Sequence, residues 1–514
     1  MAGLTWRNAA HSLNALLFAA PKQLRPPKAR RERSPILPAP ATIAARPDGR
    51  SSKPSGPNVT HVPLAGGLRP ADVFAPVADT QFAQLLDWQE GTGTAYILLD
   101  PDETFTITLG ELDPAHPGGA FRRLEQALAA WAARHGSTEW SGSGPVPFIG
   151  GAAGMFAYEL AHDLERLPHR KTLGPDTPVL SVGFYDAVAA IPANGDEALV
   201  LSPWDTPRSR ARRAHLEALI RRARPAQEPP QLACPTPKPA VTPDSYRATV
   251  ARVIELIHAG DIFQANLAQR FDTTRPGGLT SFDIYRRLAG AAPAPFAAYL
   301  NLPDRQLVSS SPERFVEVSA HGHIRTEPIK GTRPRGTTPD EDRALAEELR
   351  HSAKDHAENV MIVDLLRNDI SRIARDHSVK VEALCALESF ANVHHLVSTV
   401  TGLLAPEKTA LDCLAACFPG GSITGAPKVR AMEVIRDLEP HPRGAYCGAI
   451  GFIGLDGAMD TSIPIRTLTV QDTQISYHAG GGIVADSDPQ TEYEETLTKA
   501  SAMRRALTGG TAGP

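Results

Sequence analysis

Two pairs of carboxylates in this chain stand at helical spacing. Asp355 and Glu358 are i and i+3 neighbours, and so are Glu492 and Glu495, with Lys499 at i+7 on the same stripe. Two such faces brought together supply hard oxygen donors and leave positions for water and an anionic ligand, which is how Mg²⁺ is usually held. Taken singly, each pair also suits a solvated helix face. Lys330, between Ile329 and Gly331 at the end of the strand-like run FVEVSAHGHIRTEPIK, is a candidate nucleophile. A lysine buried, or set beside other cations, loses proton affinity. Glu313 in SSSPERF is a candidate general base if it comes within hydrogen-bond reach of the attacking group. An edge lysine and a structural glutamate are the alternative. Gly480, Gly481 and Gly482 of AGGGIV allow successive backbone N–H groups to converge on a carboxylate, or else form a tight turn. The run FPGGSITGAPK lacks the spacing of a nucleotide phosphate loop, and no Ser or Thr follows its lysine.

These residues need elements to carry them. Thr338, Pro339 and Glu341 form a capping-box start, and the helix they open is expected to continue past Asp355 and Glu358. Asp488 and Pro489 open the helix of Glu492, Glu495 and Lys499. Thr242 caps another, with Pro243 first and an apolar stripe of Tyr246, Val250, Val253, Ile254 and Ile257 ending near Gly260. Short β-rich runs (YLNLP, LVSSS, SIPIRTLTV, QISYHAG) mix with helical patterns without strict alternation, so the fold class is α+β, a sandwich of sheets. An N-terminal domain is expected over 61–235, with strands at TAYILLD and ALVLS and a helix at FRRLEQALAAWAARHG. The proline-dense RRARPAQEPPQLACPTPKPAVTP is the linker to a second domain over 242–506.

Composition sets the outer bounds. With 514 residues, 42% hydrophobic and 21% charged, core volume is not limiting. A net charge of −4 gives no overall basic field for nucleic acid or an anionic membrane, which favours a small-molecule partner. Residues 1–60 are the exception at +8 against −12 for the rest, and this Pro/Arg-rich extension has too little apolar periodicity to bury a core. It is expected to be disordered, as a transit peptide, a nucleic-acid tail, a solvated extension or the product of a start codon assigned too early. Five cysteines without a C-x-x-C pair fit a reducing, cytoplasmic setting, with Cys413 and Cys417 as core residues. No apolar run reaches the roughly 18 residues of a membrane span.

A longer set of motifs occurs in order: GDIFQANLAQRF, SSSPERF, PIKGTRPRG, DHAENVMIVDLLRNDISRI, VHHLVS, FPGGSITGAPKVRAMEVI, GAYCGAIGF, IPIRTL and AGGGIVADSDPQTEYEETLTKA. Through them the chain resembles the chorismate-utilising enzyme family, densely over 242–506 and more thinly before, chiefly at PFIGGAAGMFAYEL. The resemblance implies a two-part α+β fold, sheets face to face with helices outside, and a chorismate pocket between them. It implies Mg²⁺ on Glu358 and Glu495, with Asp355 and Glu492 in reach through water, gripping the ring carboxylate. Tyr446 and Arg466 match residues that hold the enolpyruvyl carboxylate, with the backbone of Gly480, Gly481 and Gly482. Lys499 and Ser422 match further polar contacts, and His395 of VHHLVS matches a histidine that assists departure of the hydroxyl.

Within the family the resemblance is to the branch that aminates C4 of chorismate. Anthranilate synthases share the motifs but carry a small residue or threonine where this chain has Lys330, and isochorismate and salicylate synthases carry lysine where it has Gln264. Lys330 then implies covalent catalysis: it adds at ring C2 as the C4 hydroxyl leaves, and ammonia adds at C4 as the lysine is expelled, with Glu313 as base. No cysteine sits in the elbow a glutaminase uses for its nucleophile. A separate glutamine amidotransferase subunit is therefore expected to supply ammonia, and a lyase on another protein to make p-aminobenzoate for folate.

Overall fold

Period-two alternation in the apolar runs builds two antiparallel sheets. A computed structural model describes residues 56–509 except 89–91, 114, 137–143, 169–172, 194 and 391–392. The basic extension therefore lies almost wholly outside the described residues. Among those residues, the larger sheet has twelve strands and the smaller ten. The larger runs from Asn58–Pro63 at one edge, through Gln84–Asp87, Phe296–Leu302, Arg305–Ser311, Thr467–Gln471, Gln474–Ile483 and Gln264–Thr274, to Gly425–Ala426 at the other. The smaller begins at Ile329–Pro334 and Val393–Leu403, and passes through Arg314–Val318, Ala449–Gly454 and Gly151–Phe156 to Glu103–Thr108.

Alternation decides which face of the larger sheet meets what. Tyr96, Leu98, Phe296 and Leu300 pack against Ala153, Met155, Ile450 and Phe452 of the smaller sheet in one core. Phe452 sits at its centre, with the rings of Trp88, Tyr96 and Phe148 at 5.9, 5.5 and 4.5 Å. The intervening residues Ile97, Tyr299, Val308 and Tyr477 face the other way and pack under helices. Pro489–Thr508 covers them with Ala500, Met503 and Leu507, and Ser281–Ala291 with Phe282, Tyr285 and Leu288. Cys413 and Cys417 are buried, as expected, on the helix Ala410–Cys417. No helix among the described residues is long and apolar enough to cross a membrane.

Pro54–Pro514 form one compact unit, and each sheet takes strands from both sides of the proline-dense stretch. Leu86 pairs with Ala298 in one sheet and Ala153 with Phe452 in the other. The stretch itself is pinned: Cys234 N–H donates to the Leu507 carbonyl at 2.8 Å, and Lys238–Pro239 pair with Asp272 and Phe271.

The structure corrects five local expectations. The helix opened at Thr338 does not reach Glu358; it ends at Arg350, and a second helix runs Ala353–Ser371. Ser352 makes the break, its hydroxyl accepting the Asp355 N–H at 3.3 Å and so serving as N-cap. At the first helix Thr338 caps Glu341 N–H, but the Glu341 carboxylate turns to Thr337 instead of closing the box. The run FVEVSAHGHIRTEPIK is three strands, and Lys330 stands second in the third rather than ending one. The three glycines form neither nest nor turn: they lie inside Gln474–Ile483, paired with Ala268, Leu267 and Asn266. SIPIRTLTV divides into two strands around Arg466, whose φ of 51° is left-handed.

Ser352→Ala is expected to cost about 1 kcal/mol, read as a lower urea midpoint with unchanged slope.

Candidate active site

One end of the smaller sheet and the last strands of the larger bring most of these side chains together. Lys330 pairs with Leu396 across the ladder, and the register shifts before Thr332, which pairs with His395. Gly331, at φ 75°, takes up that bulge. A Cβ on Gly331 would stand 2.9 Å from Asp355 Cγ and 2.7 Å from Leu349 Cδ1, so glycine lets both helices close on the strand. Arg333 on the same strand donates to Glu348 at 2.7 Å and reaches Asp355 at 3.4 Å.

Lys330 is half-buried, and its ammonium donates to the Ser422 carbonyl at 3.2 Å. Burial pushes its pKa down, against the pull of Glu358, Glu313 and Glu495 upward. Glu313 is 5% exposed, and burial pushes its carboxyl up, opposed by the Ser422 hydroxyl, the Lys330 charge and the Ile329 N–H. Lys330, Glu313 and Ser422 thus form one hydrogen-bonded group.

The two carboxylate pairs come to this group on two different helices. Burial raises the pKa of Glu358, and Lys330 and Lys354 oppose the shift. On Pro489–Thr508, Glu492 accepts from the Ser487 hydroxyl at 2.6 Å, and burial raises its pKa too. Glu495 goes the other way. Burial acts against its charge, but Lys499 at 2.5 Å, with Lys354 and Lys330, holds its carboxyl below the usual range. Lys499 also donates to the Gly480 carbonyl at 2.9 Å. A Cβ on Gly481 would lie 3.0 Å from Glu495 Oε1 and 3.3 Å from Glu492 Oε2, so this glycine lets both carboxylates rest on the strand. All four acids offer hard oxygen donors of the kind Mg²⁺ takes, and the Gly481 gap gives two of them room to converge. Among the described residues no three His, Cys, Asp or Glu side chains are drawn into one metal-binding group.

The remaining expected residues line the same region. His395 is 4% exposed; its Nδ1 lies 3.0 Å from the Thr332 hydroxyl and 3.3 Å from the Gly331 carbonyl. Burial and the nearby Arg466 lower its pKa, so the imidazole is neutral. Tyr446 is buried and stacks on His478 with centroids 5.1 Å apart. Arg466 has no side-chain partner among the described residues, and burial alone pushes its pKa down. A half-buried guanidinium has donors that suit a carboxylate.

Sequence reasoning passed over several members. Gln264, used there only to separate branches, is fully buried with both amide atoms unpartnered, and its Nε2 lies 2.4 Å from where a Gly482 Cβ would stand. Thr332, Arg333 and Lys354 act through the expected residues, and no spacing announced them. Arg443 was the legible one, a charge in the otherwise uncharged run HPRGAYCGAIGF.

The model of the chorismate binding enzyme family matches residues 84–505. Aminodeoxychorismate synthase component 1 of Escherichia coli (strain K12) is 46% identical over 365 residues, 70% of this chain and 78% of that protein. The Klebsiella aerogenes protein of the same name is 44% identical over 366 residues, with the same coverage. Anthranilate synthase component 1 of Bacillus caldotenax is 36% identical over 452 residues, 83% of this chain and 84% of that one. The crystal structure of anthranilate synthase component I from Streptococcus pneumoniae TIGR4 superposes with a TM-score of 0.70 and 31% identity, over 81% of this chain and 93% of that one.

Arg466→Gln removes a charge that no side chain among the described residues pairs. The thermal midpoint is expected to hold or rise, while affinity for a carboxylate probe such as benzoate falls roughly 10- to 100-fold, the worth of a charge-assisted hydrogen bond.

Proposed function

The chain belongs to the chorismate-binding enzyme family, and from that premise we propose that it aminates chorismate at C4, giving 4-amino-4-deoxychorismate with the enolpyruvyl group retained. Lys330 carries the reading, as an amine that burial keeps short of protons, sharing Ser422 with the buried Glu313. The relatives named aminodeoxychorismate synthase component 1 support the same branch, and their name supports a second component, here a glutamine amidotransferase that delivers ammonia.

In the proposed sequence the Lys330 amine adds to ring C2, the ring double bonds shift, and the C4 hydroxyl leaves as water with a proton from Glu313. Burial favours that protonated carboxyl. Ammonia then adds at C4, the shift reverses, the lysine departs as a neutral amine, and Glu313 recovers a proton from the new ammonium. Glu313 thus serves first as acid and then as base. The neutral His395 hydrogen-bonds the departing hydroxyl. Tyr446, Arg466 and the backbone of Gly480, Gly481 and Gly482 hold the enolpyruvyl carboxylate, and Lys499 and Ser422 complete the polar lining. Glu358 and Glu495, with Asp355 and Glu492 through water, would hold Mg²⁺, which when bound supplies positive charge to the ring carboxylate as the double bonds shift.

Mass spectrometry of products from chorismate, Mg²⁺ and high ammonium at alkaline pH tests this without the partner. A species one mass unit below chorismate, converted to p-aminobenzoate by an added lyase, is expected; anthranilate with pyruvate would overturn the branch. Lys330→Ala is expected to abolish amination, and Glu313→Gln to slow it roughly 10²- to 10⁴-fold. For the wild type, kcat/KM should climb with pH as Lys330 loses its proton, at a pH below the ordinary lysine value because burial lowers that pKa. Glu358→Gln and Glu495→Gln should each weaken Mn²⁺ binding, measured by electron paramagnetic resonance, whatever the turnover.

A further inference from the structure

Arg443 lies in the loop between the Lys428–Leu438 helix and the Ala449–Gly454 strand, and is 4% exposed. A buried guanidinium carries five N–H donors and is costly to desolvate unless they are satisfied. Its Nε and Nη2 donate to the two Glu439 oxygens at 2.9 and 2.7 Å. Nη1 donates to the Ile423 carbonyl at 2.9 Å, and Nη2 also to the Asn266 carbonyl at 2.6 Å. The rings of Tyr158 and Tyr446 stand at 4.7 and 5.7 Å from its central carbon. Its own N–H and that of Gly444 donate to the two oxygens of buried Glu159, at 2.8 and 3.0 Å.

The partners explain what this arrangement holds. On its outer edge, Gln264–Thr274 is covered by Gly425–Ala426 at one end and by Lys238–Pro239 at the other. Between them the Ala268 N–H donates to Glu439 at 2.8 Å while the Asn266 carbonyl takes Arg443, so the ion pair stands in for a missing strand. Ile423 follows Ser422, the residue that bonds both Lys330 and Glu313. Tyr446 lies three residues beyond Arg443 on the same loop. Tyr158 and Glu159 end PFIGGAAGMFAYEL, the motif of the N-terminal half in which the family resemblance was clearest.

We infer that Arg443 is a positioning residue: its fork fixes the Ser422 turn, the Gln264 strand and the Tyr446 loop relative to one another, and Tyr158 and Glu159 complete the clamp from the N-terminal half. This rests on the chorismate reading, in which Ser422 and Tyr446 touch substrate. Arg443 itself touches none of the reacting groups.

The test compares wild type with Arg443→Lys, which keeps the charge as a point and loses the planar fork, and with Arg443→Ala. In ammonium-driven turnover, with chorismate binding measured separately by calorimetry, Arg443→Lys should raise the chorismate KM and Kd at least tenfold and lower kcat less. Added guanidinium at millimolar concentration should restore Arg443→Ala at least tenfold, and ethylammonium should not. KM and kcat within twofold of wild type in Arg443→Lys, or losses that follow only the thermal midpoint with no guanidinium rescue, would overturn the inference. If neither variant folds, Tyr158→Leu and Glu159→Gln decide it: a severalfold higher chorismate Kd supports the clamp, and an unchanged one removes it. A wild type that neither binds nor converts chorismate removes the reading and the inference together. A wild type that does both, beside an equally competent Arg443→Lys, removes the inference alone.

Discussion

A helix can set its carboxylates against a strand only where the strand carries no Cβ at the crossing. The site depends on that constraint twice. Gly331 admits the start of Ala353–Ser371, with Asp355 against the backbone beside Lys330. Gly481 does the same for Pro489–Thr508, with Glu492 and Glu495 resting on it. Gly482 makes room for the Gln264 amide from the neighbouring strand, and Gly421 for Leu365 beneath the Ser422 turn. At each point a methyl group would stand under 3.1 Å from a neighbour, and the helix or side chain would have to back away.

Close approach gathers charge, and gathered charge is costly. Burial drives Glu313, Glu358 and Glu492 toward the neutral acid and Lys330 toward the neutral amine. Glu495 goes toward the carboxylate, because Lys499 pairs with it directly. Among the described residues Arg466 has no such partner. Burial and pairing thus pull these neighbouring groups in different directions, and the surrounding sheets and apolar helix undersides hold the site together. Ile362, Val363 and Leu366 anchor one helix, and Ala500, Met503 and Leu507 the other.

The same division runs through the fold. Strands from both sides of the proline-dense stretch share both sheets, so the geometry of the site is joined to the N-terminal half by backbone pairing as well as by the Glu159 contact. A chain divided in sequence is continuous in its hydrogen bonding.

Local rules read well wherever the information was local. Pro489 after Asp488, Pro243 after Thr242, and the stripe of Tyr246, Val250 and Val253 gave helices where the structure has them. The i, i+3 spacing placed each acid pair on one face, and the ordered motifs placed the chain in its family. Local rules failed at Ser352, where a cap outweighed a continuous helical pattern, and at the three glycines, whose permissive backbone was taken for a turn. Those glycines are spaces for Glu495, Glu492 and Gln264, residues distant in sequence or on another strand. Nor does spacing tell that Lys330, Ser422 and Glu313 share hydrogen bonds, that Arg466 has no counter-ion among the described residues, or that Arg443 closes a sheet edge. Sequence by itself determined the element types, the acid pairs and the family, because caps, periodicity and motif order are properties of neighbours along the chain. Tertiary structure alone decided which charges face each other and how far each is pushed from its ordinary protonation, because burial and pairing depend on segments that meet only after both sheets have closed.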